Sequence, residues 1–126
     1  MACLSIEEFK KTHIEFLRRN KDPSNNPKWF NKILTERTRD LWFLSVLPSL
    51  DGLDIIDLCG AYGMFGAYLQ GVKELSFKYT CLDIDIHRIN RGPEYFKTLG
   101  LREPQFIWHD INHPLPLITD SFDMVW

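Results

Sequence analysis

The hydrophobic positions of this chain change period near residue 50. In SIEEFKKTHIEFLRR, residues Ile6, Phe9, His13, Phe16 and Leu17 fall on one face of a 3.6-residue helix, and Ser5 with Glu8 forms a reciprocal capping pair. The spacing predicts a helix to about Arg19, which NKDPSNNPK then breaks. A second run, Phe30, Ile33, Leu34, Leu41 and Leu44, predicts a longer helix stopped by Pro48, after which PSLDG turns the chain. Residues 1–50 are therefore expected to be an N-terminal helical segment, a lid or outer layer. From residue 51 onward the runs are short, apolar, β-branched or aromatic: LDIIDL (53–58), KYTCLD (78–83), PQFIWH (104–109) and FDMVW (122–126). Helical segments separate the first three. Alternating strands and helices predict an α/β fold with a parallel sheet, and nearly continuous apolar strands predict that both sheet faces are covered.

Between the second and third strands, IHRINRGPEYFKTLGL has the length of one helix but carries Gly92 and Pro93 inside it. Proline lacks the amide and clashes with the preceding turn, so the sequence predicts a helix that starts at Pro93, runs to about Leu99 and stops at Gly100. Residues 86–91 are then an irregular turn capped by Asp85.

Candidate chemistry concentrates in IIDLCGAYGMFGAYL, residues 55–69, which reads as strand, tight loop and helix. Ligands of open α/β sheets bind beyond the carboxyl ends of the strands, where loop amides and a helix N-terminus point outward. Gly60 and Gly63 can take positive φ there, while Cys59 and Ala61 are small enough to leave the passage open. Asp83 ends the second strand 20 positions after Gly63, the offset at which an acid meets ribose hydroxyls in nucleotide-binding βαβ units. That pairing points to a nucleoside ligand. The competing reading is a glycine-rich turn and a helix-capping aspartate with no ligand.

Composition narrows the class without naming it. One domain's worth of chain, 126 residues with 44% hydrophobic and 25% charged, is an ordinary globular mixture, and the net charge of −2 gives no basic footprint for stable nucleic-acid binding. No apolar run approaches membrane length and MACLSIEEFKK does not read as a signal peptide, so the expectation is a cytoplasmic protein without a membrane partner. Cys3, Cys59 and Cys81 have no CxxC spacing, so they read as reduced thiols, with Cys81 in the core. A catalytic role for Cys59 needs an activating base that the sequence does not place beside it. His109, Asp110 and His113 share a face only on a helix, and the prolines of HDINHPLP break one, so they read as loop residues with no metal. Trp29, Phe30, Trp42 and Phe43 read as helix-face packing against the sheet.

Two nucleoside-cofactor readings then compete. A-Y-G-M-F-G, 61–66, approximates the dinucleotide motif of an NAD-dependent dehydrogenase, with alanine for its first glycine. Against it stands Asp57, an acid just before the loop that would repel a pyrophosphate and suits a cationic ligand. D-L-C-G-A-Y-G, 57–63, resembles the first motif of the class I S-adenosylmethionine-dependent methyltransferases, acid-x-Gly-x-Gly-x-Gly, and WHDINHPLPLITDSFDMVW resembles their adenine-binding and fourth-strand segment. The resemblance covers residues 54–126. It implies S-adenosylmethionine as cofactor, with Asp57 orienting its ammonium group and Gly60 to Gly63 passing beneath its carboxypropyl end. It also implies Asp83 on the ribose hydroxyls, Ile84 against the adenine face, Asp110 on the exocyclic amine and the Ile111 amide facing a ring nitrogen.

Cys59 and Ala61 depart from the motif at its first and second glycines, and each added side chain narrows the space beside a cofactor. A non-catalytic cofactor-fold module is the third reading. The family sheet has seven Rossmann-like strands in the order three, two, one, four, five, seven, six, of which this chain carries four. The resemblance therefore implies that residues 51–126 are the N-terminal half of a longer methyltransferase domain, lacking the part that binds the methyl acceptor, expected to be a small molecule. FDMVW is then an open sheet edge that invites self-association.

Overall fold

The first helix, α1 (Ile6–Arg19), starts where the capping pair puts it: the Ser5 hydroxyl accepts from the Glu8 amide at 3.1 Å, and the Ser5 amide donates back to the Glu8 carboxylate at 2.8 Å. Of the predicted stripe, Phe9, His13, Phe16 and Leu17 are buried, whereas Ile6, in the first position of the helix, stays exposed. The computed structural model describes residues 3–23, 50–115 and 122–125. The predicted second helix and the aromatic set Trp29, Phe30, Trp42 and Phe43 lie outside the described residues.

The strands follow as β1 (Asp54–Leu58), β2 (Lys78–Asp83), β3 (Gln105–Trp108) and β4 (Met124–Val125), with α2 (Met64–Gly71) and α3 (Ile86–Thr98) as the crossovers. All pairings are parallel, in the order β3-β2-β1-β4, with Ile55 opposite Tyr79, Asp57 opposite Cys81 and Cys81 opposite Phe106. This is the order expected for the first four strands. Ile55, Tyr79 and Cys81 face the helices and join Phe16, Tyr68, Tyr95 and Phe96 in one core, while Ile56 and Leu82, one residue out of phase, are buried on the other face. The two central strands, β1 and β2, are buried on both faces, as their apolar runs predict, whereas β3 and β4 are only partly covered. β4 sits at the sheet edge with Val125 exposed, and Asp123 fastens it: its carboxylate accepts from the Asp54 amide at 2.7 Å, and its own amide donates to the Asp54 carbonyl at 2.8 Å.

The expectation for α3 is wrong in one respect. The helix does not begin at Pro93 but runs unbroken from Ile86, with Pro93 inside it. Two observations explain this. The Asp85 carboxylate accepts from the amides of His87 and Arg88 at 3.0 and 3.2 Å, so the first turn is satisfied eight residues before the proline. The residue before a proline is kept from helical geometry partly by its Cβ, and Gly92 has none. A Cβ at Gly92 would also overlap the Phe106 ring, so this glycine lets β3 press against the helix, offsetting the hydrogen bond that Pro93 forfeits. The predicted stop holds. Gly100 has φ 70°, its amide donates to the Lys97 carbonyl at 3.0 Å, and the Leu101 amide donates to Phe96 at 2.9 Å, the paired bonds of a Schellman ending.

α1 ends by the same device with a residue less suited to it. Lys21 takes φ 52°, its amide donates to Arg18 at 3.1 Å, and the Asp22 amide donates to Leu17 at 2.9 Å. A left-handed non-glycine residue costs roughly 1–2 kcal/mol, against about 0.4–1 kcal/mol that glycine loses through the unfolded chain. Lys21→Gly is therefore expected to stabilise the protein by about 0.5–1 kcal/mol in urea denaturation. A loss of stability would mean that the Lys21 side chain contributes more than its backbone strain costs.

Candidate functional site

β1 delivers Asp57 and Leu58 to the carboxyl edge of the sheet, and the chain then turns through five residues before α2 begins. Three of them are left-handed: Cys59 at φ 62°, Ala61 at 54° and Gly63 at 81°. These are the three positions at which the methyltransferase-like motif calls for glycine, so the loop keeps the backbone path although two of the glycines are replaced. Gly60, expected to use positive φ, does not. Its requirement is space, because a Cβ there would lie 2.6 Å from the Cys81 sulfur and 2.7 Å from an Asp57 oxygen. The Cys59 thiol is exposed and Cys81 is buried.

Asp83 closes the loop onto β2. One of its oxygens accepts from the Ala61 amide at 2.8 Å and the other from the Asp85 amide at 2.8 Å, so a single carboxylate anchors both the loop and the start of α3. The Gly60 amide adds a bond to the Leu82 carbonyl at 3.0 Å. Asp83 remains partly exposed. Each oxygen of an ionised carboxylate has a second lone pair, and Asp83 thus keeps acceptor capacity toward a ligand.

Asp57 lies behind the loop with only 3% of its surface exposed. It points to the helix-covered face, where the Tyr79 hydroxyl donates to it. Burial is the main force on its carboxyl, and the nearby Asp83 adds to it; together they outweigh the Tyr79 bond and push the pKa up to about 6. Burial, and then Asp57, push the Tyr79 hydroxyl in turn well above the ordinary tyrosine range. Tyr79 was not a candidate from sequence. The signal is Gly66, one helical turn into α2, where a Cβ would lie 2.6 Å from the Tyr79 ring.

The remaining predicted residues line the neighbouring strand ends. The His109 amide donates to the Asp83 carbonyl at 3.0 Å, which sets the end of β3 beside the end of β2. Ile84 and Trp108 are each more than half exposed, and the Trp108 indole donates to the Ile84 carbonyl at 2.7 Å, giving an apolar ledge next to Asp83; Ile111, equally exposed, lies in the loop after β3. Asp110 turns to its own loop: it accepts from the amide and side chain of Asn112, each at 2.9 Å, and the amide bond is the main reason its carboxyl lies below the usual range. The His109 Nε2 donates to the His113 carbonyl, 3.1 Å away, and among the described residues no three metal-ligating side chains converge. A separate cavity of about 380 Å3 lies at the opposite, amino end of the strands, beside Asp54, Lys78 and Gln105. The carboxyl end is where loop amides, acids and apolar surface meet, and it is the candidate site.

No protein-family model matches the sequence, and no curated protein matches it. Solved structures do match. Phosphoethanolamine N-methyltransferase 1 from Haemonchus contortus, in complex with phosphoethanolamine and S-adenosylhomocysteine, is similar over 97% of this chain and 26% of its own, with TM-score 0.64 and 20% identity. A provisionally assigned sarcosine dimethylglycine methyltransferase from Galdieria sulphuraria covers 79% of this chain and 36% of its own, at TM-score 0.57 and 20% identity. An S-adenosylmethionine-dependent methyltransferase from Aquifex aeolicus covers 89% and 54%, at TM-score 0.51 and 20% identity. The fold is that of the S-adenosylmethionine-dependent methyltransferases. The chain spans between about a quarter and about half of the length of these structures.

Within this methyltransferase fold, the buried acid sets a dependence of stability on pH. The unfolded carboxyl ionises near its ordinary 3.8 and the folded one near about 6, so between these values the native state holds a proton that the unfolded chain has lost. The contribution of Asp57 to stability therefore declines as pH rises from about 4 through about 6 and is lowest above that. A shift of two units corresponds to roughly 3 kcal/mol. Asp57→Asn keeps an acceptor for Tyr79 without the charge, and it is expected to be more stable than the parent at pH 7.5 by on the order of 1–3 kcal/mol, with the difference vanishing near pH 4. Urea denaturation at the two pH values measures it. An equal difference at both would show that Asp57 is not the group responsible.

Proposed function

We propose that the chain is the cofactor-binding part of an S-adenosylmethionine-dependent methyltransferase whose acceptor is a small molecule. The observation that carries the reading is the pair of carboxylates, Asp57 and Asp83, set on either side of a loop left-handed at Cys59, Ala61 and Gly63. An acidic site of this kind fits a ligand with an ammonium and a sulfonium group. It disfavours the pyrophosphate of a dinucleotide, which two acids would repel.

The residues present fit the cofactor. Asp57, whose carboxylate lies against Gly60, would face its ammonium group there, and the backbone of Gly60 to Gly63 would run beneath the carboxypropyl chain. Asp83 would accept the ribose hydroxyls with the lone pairs that Ala61 and Asp85 leave open. The apolar ledge beginning at Ile84 would take the adenine face, with Asp110 and the Ile111 amide at its polar edge. When bound, the cofactor supplies a methyl group on a cationic sulfur with a neutral thioether as leaving group. The chain's own contribution is to bind, to orient and to exclude water, because an in-line methyl displacement needs chiefly alignment and desolvation. A small-molecule acceptor is supported by the Haemonchus contortus enzyme, whose structure holds phosphoethanolamine.

Isothermal titration calorimetry tests the reading on the 126-residue chain. S-adenosylmethionine and S-adenosylhomocysteine are expected to bind and NAD is not. Binding of NAD alone would favour a dehydrogenase, and binding of none a non-catalytic module. Asp83→Ala is expected to weaken S-adenosylhomocysteine by about 1.5–3 kcal/mol, tenfold or more, as loss of a charge-assisted acceptor. Affinity is also expected to fall as pH drops below about 6, by up to tenfold per unit, as a proton competes with the ligand's ammonium for Asp57. A flat affinity between pH 7.5 and 5 would remove Asp57 from the site.

A further inference from the structure

Tyr62 is the one large side chain in the glycine loop, and it points away from the proposed ligand side. It is buried against Phe16 of α1 and Tyr95 of α3, with ring centroids 5.2 and 5.8 Å away. Its hydroxyl donates to the carboxylate of Asp22, the residue that follows the left-handed end of α1. Asp22 is itself buried, and its other oxygen accepts from the Arg88 guanidinium at 3.2 Å. Arg88 lies 5.8 Å from the centroid of the Tyr62 ring and pairs with Asp85 at 3.6 Å.

Traced onward, these contacts close on themselves. Asp22 holds Arg88, Arg88 pairs with Asp85, the Asp85 amide donates to Asp83, and Asp83 accepts from Ala61, the neighbour of Tyr62. The ring joins the end of α1, the loop, the end of β2 and the start of α3. It grips the loop on both sides of the Ala61–Tyr62 peptide, one grip on the amide of a left-handed alanine and the other on the side chain that follows it. Without the second grip, the strained turn at Ala61 keeps the Asp83 bond, the Gly60 bond to Leu82 and the Cys81 thiol at its carbonyl, but loses its anchor to α1.

We infer that Asp22 is a positioning residue for the cofactor loop: through Tyr62 and Arg88 it couples the docking of α1 to the left-handed path of residues 59–63. The inference rests on the methyltransferase reading for the identity of the ligand, and on the geometry alone for the coupling. Coupling of this kind is reciprocal, so a ligand that needs the loop in this path also strengthens the docking of α1.

The test is a double-mutant cycle with Asp22→Ala, which removes the acceptor altogether, and Tyr62→Phe, which keeps the ring packing and removes only the hydroxyl. Two quantities are read: the dissociation constant of S-adenosylhomocysteine by calorimetry, and hydrogen exchange of the Ala61 and Gly63 amides by NMR. The Gly100 and Leu101 amides at the far end of α3 serve as the internal reference. Each single variant is expected to weaken S-adenosylhomocysteine about tenfold, and the double variant no more than the weaker single, because both remove the same contact. Exchange at Ala61 and Gly63 is expected to rise about tenfold relative to Gly100 and Leu101. Exchange that rises equally at all four amides would mean a general loss of stability and would overturn the inference, as would additive losses of affinity. If the parent protein does not bind S-adenosylhomocysteine, the methyltransferase reading fails while the exchange result still decides whether Asp22 positions the loop.

Discussion

The Asp83 carboxylate is the interaction on which the carboxyl edge of this sheet depends. Two backbone amides 24 residues apart, those of Ala61 and Asp85, both end on this one side chain. On one side it holds a loop with three left-handed residues in five, two of them not glycine. On the other it sets Asp85, whose own carboxylate then opens α3. Left-handed backbone at Cys59 and Ala61 persists only where surrounding contacts over-determine it. Here those contacts are the Asp83 bond, the Gly60 bond to β2 and the Tyr62 anchor in the aromatic core.

Glycine in this region answers two different demands. At Gly63 the backbone is left-handed, whereas at Gly60, Gly66 and Gly92 the cause is crowding by Asp57 and Cys81, by Tyr79 and by Phe106. The crowding has a consequence for Asp57. Strand β1 alternates, so the acid that precedes the loop is driven to the helix-covered face, where Tyr79 is its hydrogen-bond partner and water is excluded. A charge in that position opposes folding above the acid range, so Asp57 costs the native state stability that an uncharged residue would not.

The α1 helix contributes more than a covering layer. Its apolar stripe places Phe16 against Tyr62 and Tyr95, and its Schellman ending directs Asp22 to the same tyrosine. A segment without any cofactor-like motif of its own thereby reaches the one loop that carries the motif. The aromatic contacts supply packing and the carboxylate supplies direction, since a ring can rock within an apolar pocket but a bonded hydroxyl cannot.

Local chemistry was sufficient to read much of this from the chain by itself. The capping box at Ser5 and Glu8, the stop at Gly100, the cap at Asp85 and the four apolar strand runs each depend on neighbours within a few residues, and each is found where the pattern puts it. The strand order followed from the methyltransferase resemblance, and the structure reproduces it. What tertiary structure alone decided involves partners far apart in sequence. Proline at 93 forbids a helix only in isolation; Gly92 against Phe106 of β3 and the cap at Asp85 made the longer helix the better solution. Glycine content pointed to positive φ at Gly60 and Gly63; Gly63 takes it, but the other left-handed residues are Cys59 and Ala61, because bonds to Asp83 and Leu82 impose the path from another strand. Asp22 and Tyr62 lie 40 residues apart and carry no pattern that pairs them. Only the packing of α1 over the sheet brings that carboxylate to that hydroxyl, since hydrophobic periodicity specifies which face is buried and says nothing of which polar group the buried face will meet.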